Sequence, residues 1–118
     1  MNCTKNTYKG DYVFTVTGST PDAQSQPSVP FAVVGRFTAD GQGHITGKQT
    51  RNVNGQVVRE TYTETYTVHR DCTGSSHKVT SGGGDVHFDF VLINEGKTVV
   101  GVETDPGNVL TFRAERSV

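Results

Sequence analysis

Residues 44–69 read HITGKQTRNVNGQVVRETYTETYTVH, and this stretch decides the fold. Asn54-Gly55 lies near its middle, and this dipeptide favours the two-residue type I′ turn of a β-hairpin because both turn positions need positive φ. The residues on either side, about His44 to Val53 and Gln56 to His69, alternate with the period of two that is typical of strands. The stretch therefore predicts an antiparallel hairpin with a long second strand.

The second strand of this hairpin has two unlike faces. One face carries Val58, Glu60, Tyr62, Glu64, Tyr66 and Val68, and the other carries Val57, Arg59, Thr61, Thr63, Thr65, Thr67 and His69. We expect the aromatic face to point inward. Because strands of this length often bend at a bulge or divide into two paired segments, a bulge near Glu64 is one way for this side chain to reach solvent.

The whole chain has the composition of an all-β protein. Of its 118 residues, 17 are valine and 17 are threonine, whereas only 2 are leucine and 2 are isoleucine. Side chains that branch at Cβ favour pleated strands, and the composition excludes helical bundles, coiled coils and doubly wound nucleotide-binding folds. Only 32% of the residues are hydrophobic, which predicts a thin core or one that surrounds a cavity.

Chain length, net charge and hydropathy limit the number of domains and the kinds of partner that the protein can have. A chain of 118 residues corresponds to a single domain, residues 1–118. The net charge of −1 at pH 7 argues against a nucleic-acid partner, because phosphate binding needs a basic surplus. No apolar run approaches the roughly 20 residues of a membrane helix, so no membrane span is predicted.

Alternation and glycine-rich turns divide the chain into eight strands. These are about Tyr8–Thr17, Phe31–Ala39, His44–Val53, Gln56–His69, Ser76–Ser81, Asp85–Ile93, Thr98–Thr104 and Val109–Arg116. Between the first two, Gly18 to Pro30 is rich in Ser, Pro and Gln, which predicts a mobile loop. Short turns predict an antiparallel meander that closes into an up-and-down barrel, because closure removes the exposed edges. A two-sheet sandwich is the rival fold, but its Greek-key crossings need longer connections.

The inward aromatic residues of such a barrel form either its core or the wall of a ligand cavity. The predicted ligand-binding residues are Tyr12, Phe14, Phe37, Glu60, Tyr62, Tyr66, Phe88 and Phe90. Glu60 is the candidate catalytic residue, because a buried carboxylate has a raised pKa and can act as a general acid or base near neutral pH. The partner of such a carboxylate could be Arg36, Arg113 or a tyrosine hydroxyl. The alternative for Glu60 is an ordinary structural ion pair.

Metal and cofactor chemistry is not indicated by residue spacing. The histidines, His44, His69, His77 and His87, show no ligand spacing, although His87 and Asp89 share a strand face. No G-x-S-x-G motif occurs, and the glycines at 82–84 lack the Lys-Ser/Thr of a phosphate loop. We therefore expect no metal ligands and no cofactor.

Both cysteines, Cys3 and Cys72, lie in polar surroundings. This favours a disulfide, with two unrelated thiols as the alternative. A bridge over such a distance would stabilise the fold by roughly 3–4 kcal/mol in the chain-entropy model, and it implies an oxidising compartment. We expect a secreted or periplasmic protein whose signal peptide has been removed; a cytosolic protein that never had a leader is the alternative.

Several motifs resemble those of small secreted bacterial proteins. They are Gly10-Asp11-Tyr12-Val13-Phe14, Val34-Gly35-Arg36-Phe37-Thr38, Asp40-Gly41-Gln42-Gly43, Val53-Asn54-Gly55-Gln56, Tyr66-Thr67-Val68, Asp71-Cys72-Thr73-Gly74 and Thr104-Asp105-Pro106-Gly107. That group is similar to the allene-oxide-cyclase-like and dirigent barrels, which are eight-stranded and enclose an apolar cavity. The resemblance implies binding of a small hydrophobic molecule and, in the cyclases, an isomerisation or ring closure steered by cavity shape. No cyclase motif matches position by position, so no catalytic residue is carried over.

Three functional hypotheses follow. The first is a secreted barrel that binds a small apolar molecule without catalysis. The second is a cofactor-free isomerase or cyclase in which Glu60 is the acid or base and Tyr62 and Tyr66 orient the substrate. The third is a structural or interaction module with a filled core. A cavity of ~300 Å³ or more that contains Glu60 would favour the second, and an apolar cavity would favour the first. The oligomeric state is not indicated.

Overall fold

The computed structural model describes residues 2–22 and 25–117, which form a closed barrel of eight antiparallel strands. The strands are β1 (Lys9–Asp22), β2 (Ser25–Asp40), β3 (His44–Val53), β4 (Gln56–Val68), β5 (Thr73–Thr80), β6 (Asp85–Ile93), β7 (Thr98–Glu103) and β8 (Val109–Arg116). Each strand pairs with its neighbours in sequence, and β8 closes the barrel against β1. A short 3-10 helix, Lys5–Thr7, precedes β1. The prediction of an up-and-down barrel is confirmed.

The hairpin of β3 and β4 forms as the sequence predicts. Asn54 and Gly55 have φ values of 51° and 92°, which are the positive values that the tight turn requires. The two strands then pair without a register shift from Val53 opposite Gln56 to His44 opposite Thr65. No bulge interrupts this pairing, so the glutamates and tyrosines of β4 keep one common face.

The segment from Gly18 to Pro30, predicted as a mobile loop, is paired where it is described, so β1 and β2 extend beyond the strand ends that the sequence predicts. β1 and β2 pair as far as Thr20 opposite Val29 and, after a register shift, again at Asp22 opposite Ser25. Residues 23 and 24 lie outside the described part of the chain. Since β1 last pairs with β8 at Ser19, the hairpin continues past the barrel rim as a two-stranded ribbon. The segment carries few apolar residues, so it lacks the alternation by which the other strands were identified.

Four inward-facing glycines allow the tight curvature of this small barrel. Each lies directly opposite an aromatic residue on the neighbouring strand, in the pairs Phe14–Gly35, Gly47–Tyr62, Gly74–Phe90 and Gly101–Phe112. The ring covers the glycine so closely that an added Cβ would come within 3.0 Å of a ring atom in every pair. The glycine lets the strand bend and the ring fills the space that the missing side chain leaves.

The packed part of the core occupies the end of the barrel next to the N-terminal segment. Tyr8 lies at its centre, and its ring centroid is 4.8–6.1 Å from those of Tyr12, Phe37, Tyr66 and Phe90. The hydroxyl of Tyr66 donates to the carbonyl of Tyr8 at 2.6 Å, so this buried polar group is paired. The aromatic residues thus close this end of the barrel.

A disulfide fastens the N-terminal segment over the closed end. Cys3 is bonded to Cys72 in the β4–β5 turn, which confirms the pairing predicted from the sequence. The backbone N–H of Cys3 also donates to the carbonyl of Arg70 at 3.1 Å. Within the described residues, no helix has the length and hydropathy needed to cross a membrane.

Candidate functional site

The end of the barrel opposite the disulfide contains a cavity of about 180 Å³. Its apolar wall consists of Val16, Phe31, Val33, Val86, Phe88 and Leu110, and its polar wall includes Gln49, Arg51, Lys78, Thr80, Asp85 and Glu103. A cavity of about 150 Å³ in another protein holds one benzene molecule. The space is therefore that of a single-ring compound, and it is smaller than the ~300 Å³ or more of sites for drug-sized ligands.

The polar wall continues into a buried network around Glu60, whose side chain is 2% exposed. Its carboxylate accepts hydrogen bonds from Gln49 Nε2 at 2.8 Å and from Arg51 Nε and Nη2 at 2.8 and 3.2 Å. Gln49 and Glu60 are directly opposite on β3 and β4, and Arg51 is two residues further along the same face of β3. Strand register alone therefore brings the three side chains together.

This network decides between the two interpretations of Glu60. Burial by itself would raise the pKa of Glu60, but the hydrogen bonds from Arg51 and Gln49 and the charge of Arg51 outweigh it and hold the pKa below its ordinary value. The partner is Arg51, whereas the expected partners, Arg36 and Arg113, are exposed. The geometry is that of a structural ion pair, and Glu60 does not line the cavity.

Lys78 is a buried cation between the cavity and the aromatic core. Its Nζ donates to Gln49 Oε1 at 2.5 Å and lies 4.1 and 4.9 Å from the ring centroids of Tyr62 and Phe14. Burial lowers the pKa of Lys78 to about 8, and the nearby charges of Glu64 and Glu60 limit the fall. An ammonium group has three N–H donors, and across the described parts of the chain only one of them has a hydrogen-bond acceptor. Lys78 can therefore bind a further acceptor from the cavity side.

Glu103 is a second titratable group in the cavity wall. Burial, and then the neighbouring Asp105, raises the pKa of Glu103 to about 7. Two groups in one small cavity thus change protonation close to neutral pH. Such pairs are suited to proton transfer and to pH-dependent binding of charged ligands.

Glu64 lies between Tyr62 and Tyr66 on the regular strand β4 and is partly exposed as a residue. Desolvation of its carboxyl raises the pKa of Glu64, while Ser76, Lys78 and His77 oppose the rise. The raised carboxyl pKa that the sequence associates with Glu60 therefore belongs to Glu64 and Glu103. Of these two, only Glu103 lines the cavity.

The aromatic residues predicted to bind a ligand occupy three different places. Only Phe88 lines the cavity, Phe14 and Tyr62 lie behind it against Lys78, and Tyr12, Phe37, Tyr66 and Phe90 are packed at the closed end. Sequence alternation identifies the face of each residue but not its height in the barrel. Sequence alternation also missed Arg51, Lys78 and Glu103. For Lys78 the pattern contained a signal, because Ser76, Lys78 and Thr80 alternate along β5 and share its buried face.

A separate cluster lies on the outer surface. His77, Asp85 and His87 each offer one ligand atom within 4.8 Å of the others. His77 and His87 are opposite each other on β5 and β6, a proximity that their separation in sequence does not show.

Comparison of the sequence with protein-family models gives no match, and neither does comparison with curated proteins. Among solved structures, the barrel is similar to a de novo designed fluorescence-activating β-barrel. The TM-score is 0.62 at 11% sequence identity, and the similarity covers 98% of this chain and 99% of that chain. At this identity the comparison establishes the closed barrel fold.

Proposed function

We propose that the barrel binds a small, largely apolar molecule with one anionic group, of the class of single-ring carboxylic acids. The observation that carries this proposal is Lys78, a buried ammonium at the wall of an apolar cavity with one hydrogen-bond acceptor. Burying an incompletely paired charge is costly. A carboxylate in the cavity would supply the missing acceptor, and its ring would lie against Phe31, Phe88 and Leu110.

The charges around the cavity favour an anion. Arg51 and Glu60 neutralise each other. Lys78, which also lies near the charge of Glu64, is then the cation in the cavity wall that can pair with a ligand. Because Glu103 gains negative charge above a pKa of about 7 and Lys78 loses positive charge above a pKa of about 8, both titrations weaken anion binding as the pH rises. We expect the affinity for a carboxylate to be higher at pH 6.5 than at pH 8.5.

Isothermal titration with benzoate tests the proposal, with benzyl alcohol as the neutral analogue. Lys78→Met should lower benzoate affinity about 10- to 100-fold, since hydrogen bonds to charged groups contribute ~1.5–3 kcal/mol, and should leave benzyl alcohol binding unchanged. Lys48→Met, on the exposed face of β3, is the matched control. The proposal is contradicted if the wild-type protein binds neither probe. It is also contradicted if the wild type and Lys78→Met bind benzoate with equal affinity. Native mass spectrometry of protein from its own host would then identify the natural ligand.

Cofactor-free isomerisation or cyclisation is the second candidate, in line with the sequence resemblance to the allene-oxide-cyclase-like and dirigent barrels. It is favoured by Glu103 and Lys78, which titrate near neutral pH in the same cavity. In this function Glu103, and not Glu60, is the acid or base. Proton exchange at the α-carbon of a bound keto acid, followed by NMR in D₂O, should be accelerated by the wild type and not by Glu103→Gln. Equal exchange rates with the wild type and with Glu103→Gln would exclude Glu103 as the acid or base.

The compartment is also part of the proposal. A disulfide between Cys3 and Cys72 is typical of proteins that mature in an oxidising environment, which supports a secreted or periplasmic location. Intact-mass measurement after alkylation, on protein isolated without reductant from its host, tests this. Free thiols at both positions would contradict it.

A further inference from the structure

The outer face of the β5–β6 hairpin carries the cluster of His77, Asp85 and His87. The two imidazole rings are stacked, with centroids 4.3 Å apart and planes inclined by 7°. Asp85 Oδ1 lies 2.6 Å from His77 Nε2. All three side chains are accessible, with exposed fractions of 43%, 66% and 50% for His77, Asp85 and His87. The cluster is therefore open to an ion from solvent.

A fourth residue orients one of these rings. Asp105 accepts hydrogen bonds from the backbone N–H of His87 at 2.8 Å and from its ring Nδ1 at 2.9 Å. With Nδ1 protonated, the lone pair of the neutral ring is on Nε2. A carboxylate that holds the non-ligating nitrogen of a histidine is the arrangement that accompanies metal-bound histidines, where it fixes the tautomer and makes the ligand more basic.

We propose that His77, Asp85 and His87 bind one Zn²⁺ ion, with Asp105 as the positioning residue for His87 and water in the fourth place. Two imidazoles and one carboxylate suit zinc, whereas Mg²⁺ and Ca²⁺ prefer sets of oxygen ligands. The site lies on the outer face of the hairpin, and Asp85 also lies at the edge of the cavity.

Binding requires at least one ring to turn out of the stack, because the in-plane lone pairs of two rings inclined by only 7° do not converge on one ion. Four-coordinate zinc with bonds of about 2.0–2.1 Å places its ligand atoms about 3.3 Å apart. One ring nitrogen of each histidine and one oxygen of Asp85 now lie within 4.8 Å of one another. The side chains are exposed, so rotation about their χ angles can close this gap. For His77, the Nε2 proton that now faces Asp85 moves to Nδ1, and the freed Nε2 lone pair binds the ion without net loss of a proton.

Isothermal titration of the full chain with ZnCl₂ tests the proposal, and Co²⁺ serves as a spectroscopic substitute that reports four-coordinate geometry by its visible absorption. We expect one ion per chain, a higher melting temperature with Zn²⁺ because the ion binds only the folded hairpin, and no effect of Mg²⁺. His77→Ala and His87→Ala should each abolish binding. Asp105→Asn should weaken it about 10- to 100-fold, as for other second-layer partners of metal-bound histidines.

The other two histidines supply matched controls. His44→Ala and His69→Ala remove exposed imidazoles that lie outside the cluster, and both should retain full Zn²⁺ affinity. The proposal is overturned if the wild type binds no Zn²⁺, if binding survives in His87→Ala, or if either control variant loses it. Circular dichroism of each variant without metal shows that the barrel is intact, so that loss of binding is read as loss of ligands.

Discussion

Replacement of Arg51 by methionine removes the positive partner of Glu60 and tests the internal network directly. The carboxylate of Glu60 would lose both hydrogen bonds from Arg51 and its compensating charge while its side chain stays 2% exposed. Breaking a buried ion pair by removing one partner costs about 3–5 kcal/mol. Because the Arg51 side chain is itself 26% exposed, we expect the lower end, about 3 kcal/mol.

The assay is guanidinium denaturation at pH 7, followed by circular dichroism, for Arg51→Met, Glu60→Gln and the double variant. The double variant leaves no unpaired charge. Its free energy of unfolding should therefore be about 2 kcal/mol higher than the sum of the two single effects predicts. In Arg51→Met the pKa of Glu60 should rise, because burial is no longer opposed by the arginine. A raised pKa in the folded state adds stability at low pH and loses it as the pH rises through that pKa, so this variant should recover stability below pH 5.

Arg59→Met is the matched control, because Arg59 is exposed on β4. This substitution should change the free energy of unfolding by no more than ~0.5 kcal/mol. A cost below about 1 kcal/mol for Arg51→Met, or additive effects in the double variant, would refute the reasoning. Either result would mean that solvent reaches the carboxylate of Glu60.

Three further predictions concern the barrel itself. Because the pKa of Glu103 is raised to about 7, the free energy of unfolding of the wild type should fall by about 1–2 kcal/mol as the pH rises from 4.5 to 8, after allowance for solvent screening. Glu103→Gln should flatten this pH profile. An unchanged slope in the variant would contradict the prediction. Gly47→Ala forces a Cβ against the Tyr62 ring and should cost ~1–3 kcal/mol in denaturation, whereas a neutral effect would show that the ring moves freely. Reduction of the disulfide should lower stability by about 4 kcal/mol, and equal melting temperatures with and without reductant would disprove this.

The strands could be predicted from the sequence because their signals are local. β3, β6 and β8 begin and end where alternation and turn residues place them, at His44–Val53, Asp85–Ile93 and Val109–Arg116. The closed topology followed from the short turns between strands. Cys3 and Cys72 could also be paired, because their polar surroundings are unusual for buried thiols.

The candidate sites depend on contacts between strands, which a single sequence does not contain. Glu60 was recognised as an inward carboxylate, but its pairing with Arg51 requires the register of β3 against β4. The same holds for His77 and His87, which become neighbours only when β5 and β6 are aligned. The cavity lies at one end of the barrel because Tyr8, from the segment that precedes β1, fills the other end, and alternation does not show where along the axis a side chain lies.

The four glycine–ring pairs make the barrel wall a set of coupled two-residue units. A ring without its glycine collides with a Cβ on the next strand, and a glycine without its ring leaves a gap through which water reaches the interior. Neither half can be exchanged alone at low cost, so sequences that diverge within this fold should change the two members of a pair together. Such co-variation would mark relatives of this chain even where the overall identity has fallen too far for an alignment to detect them.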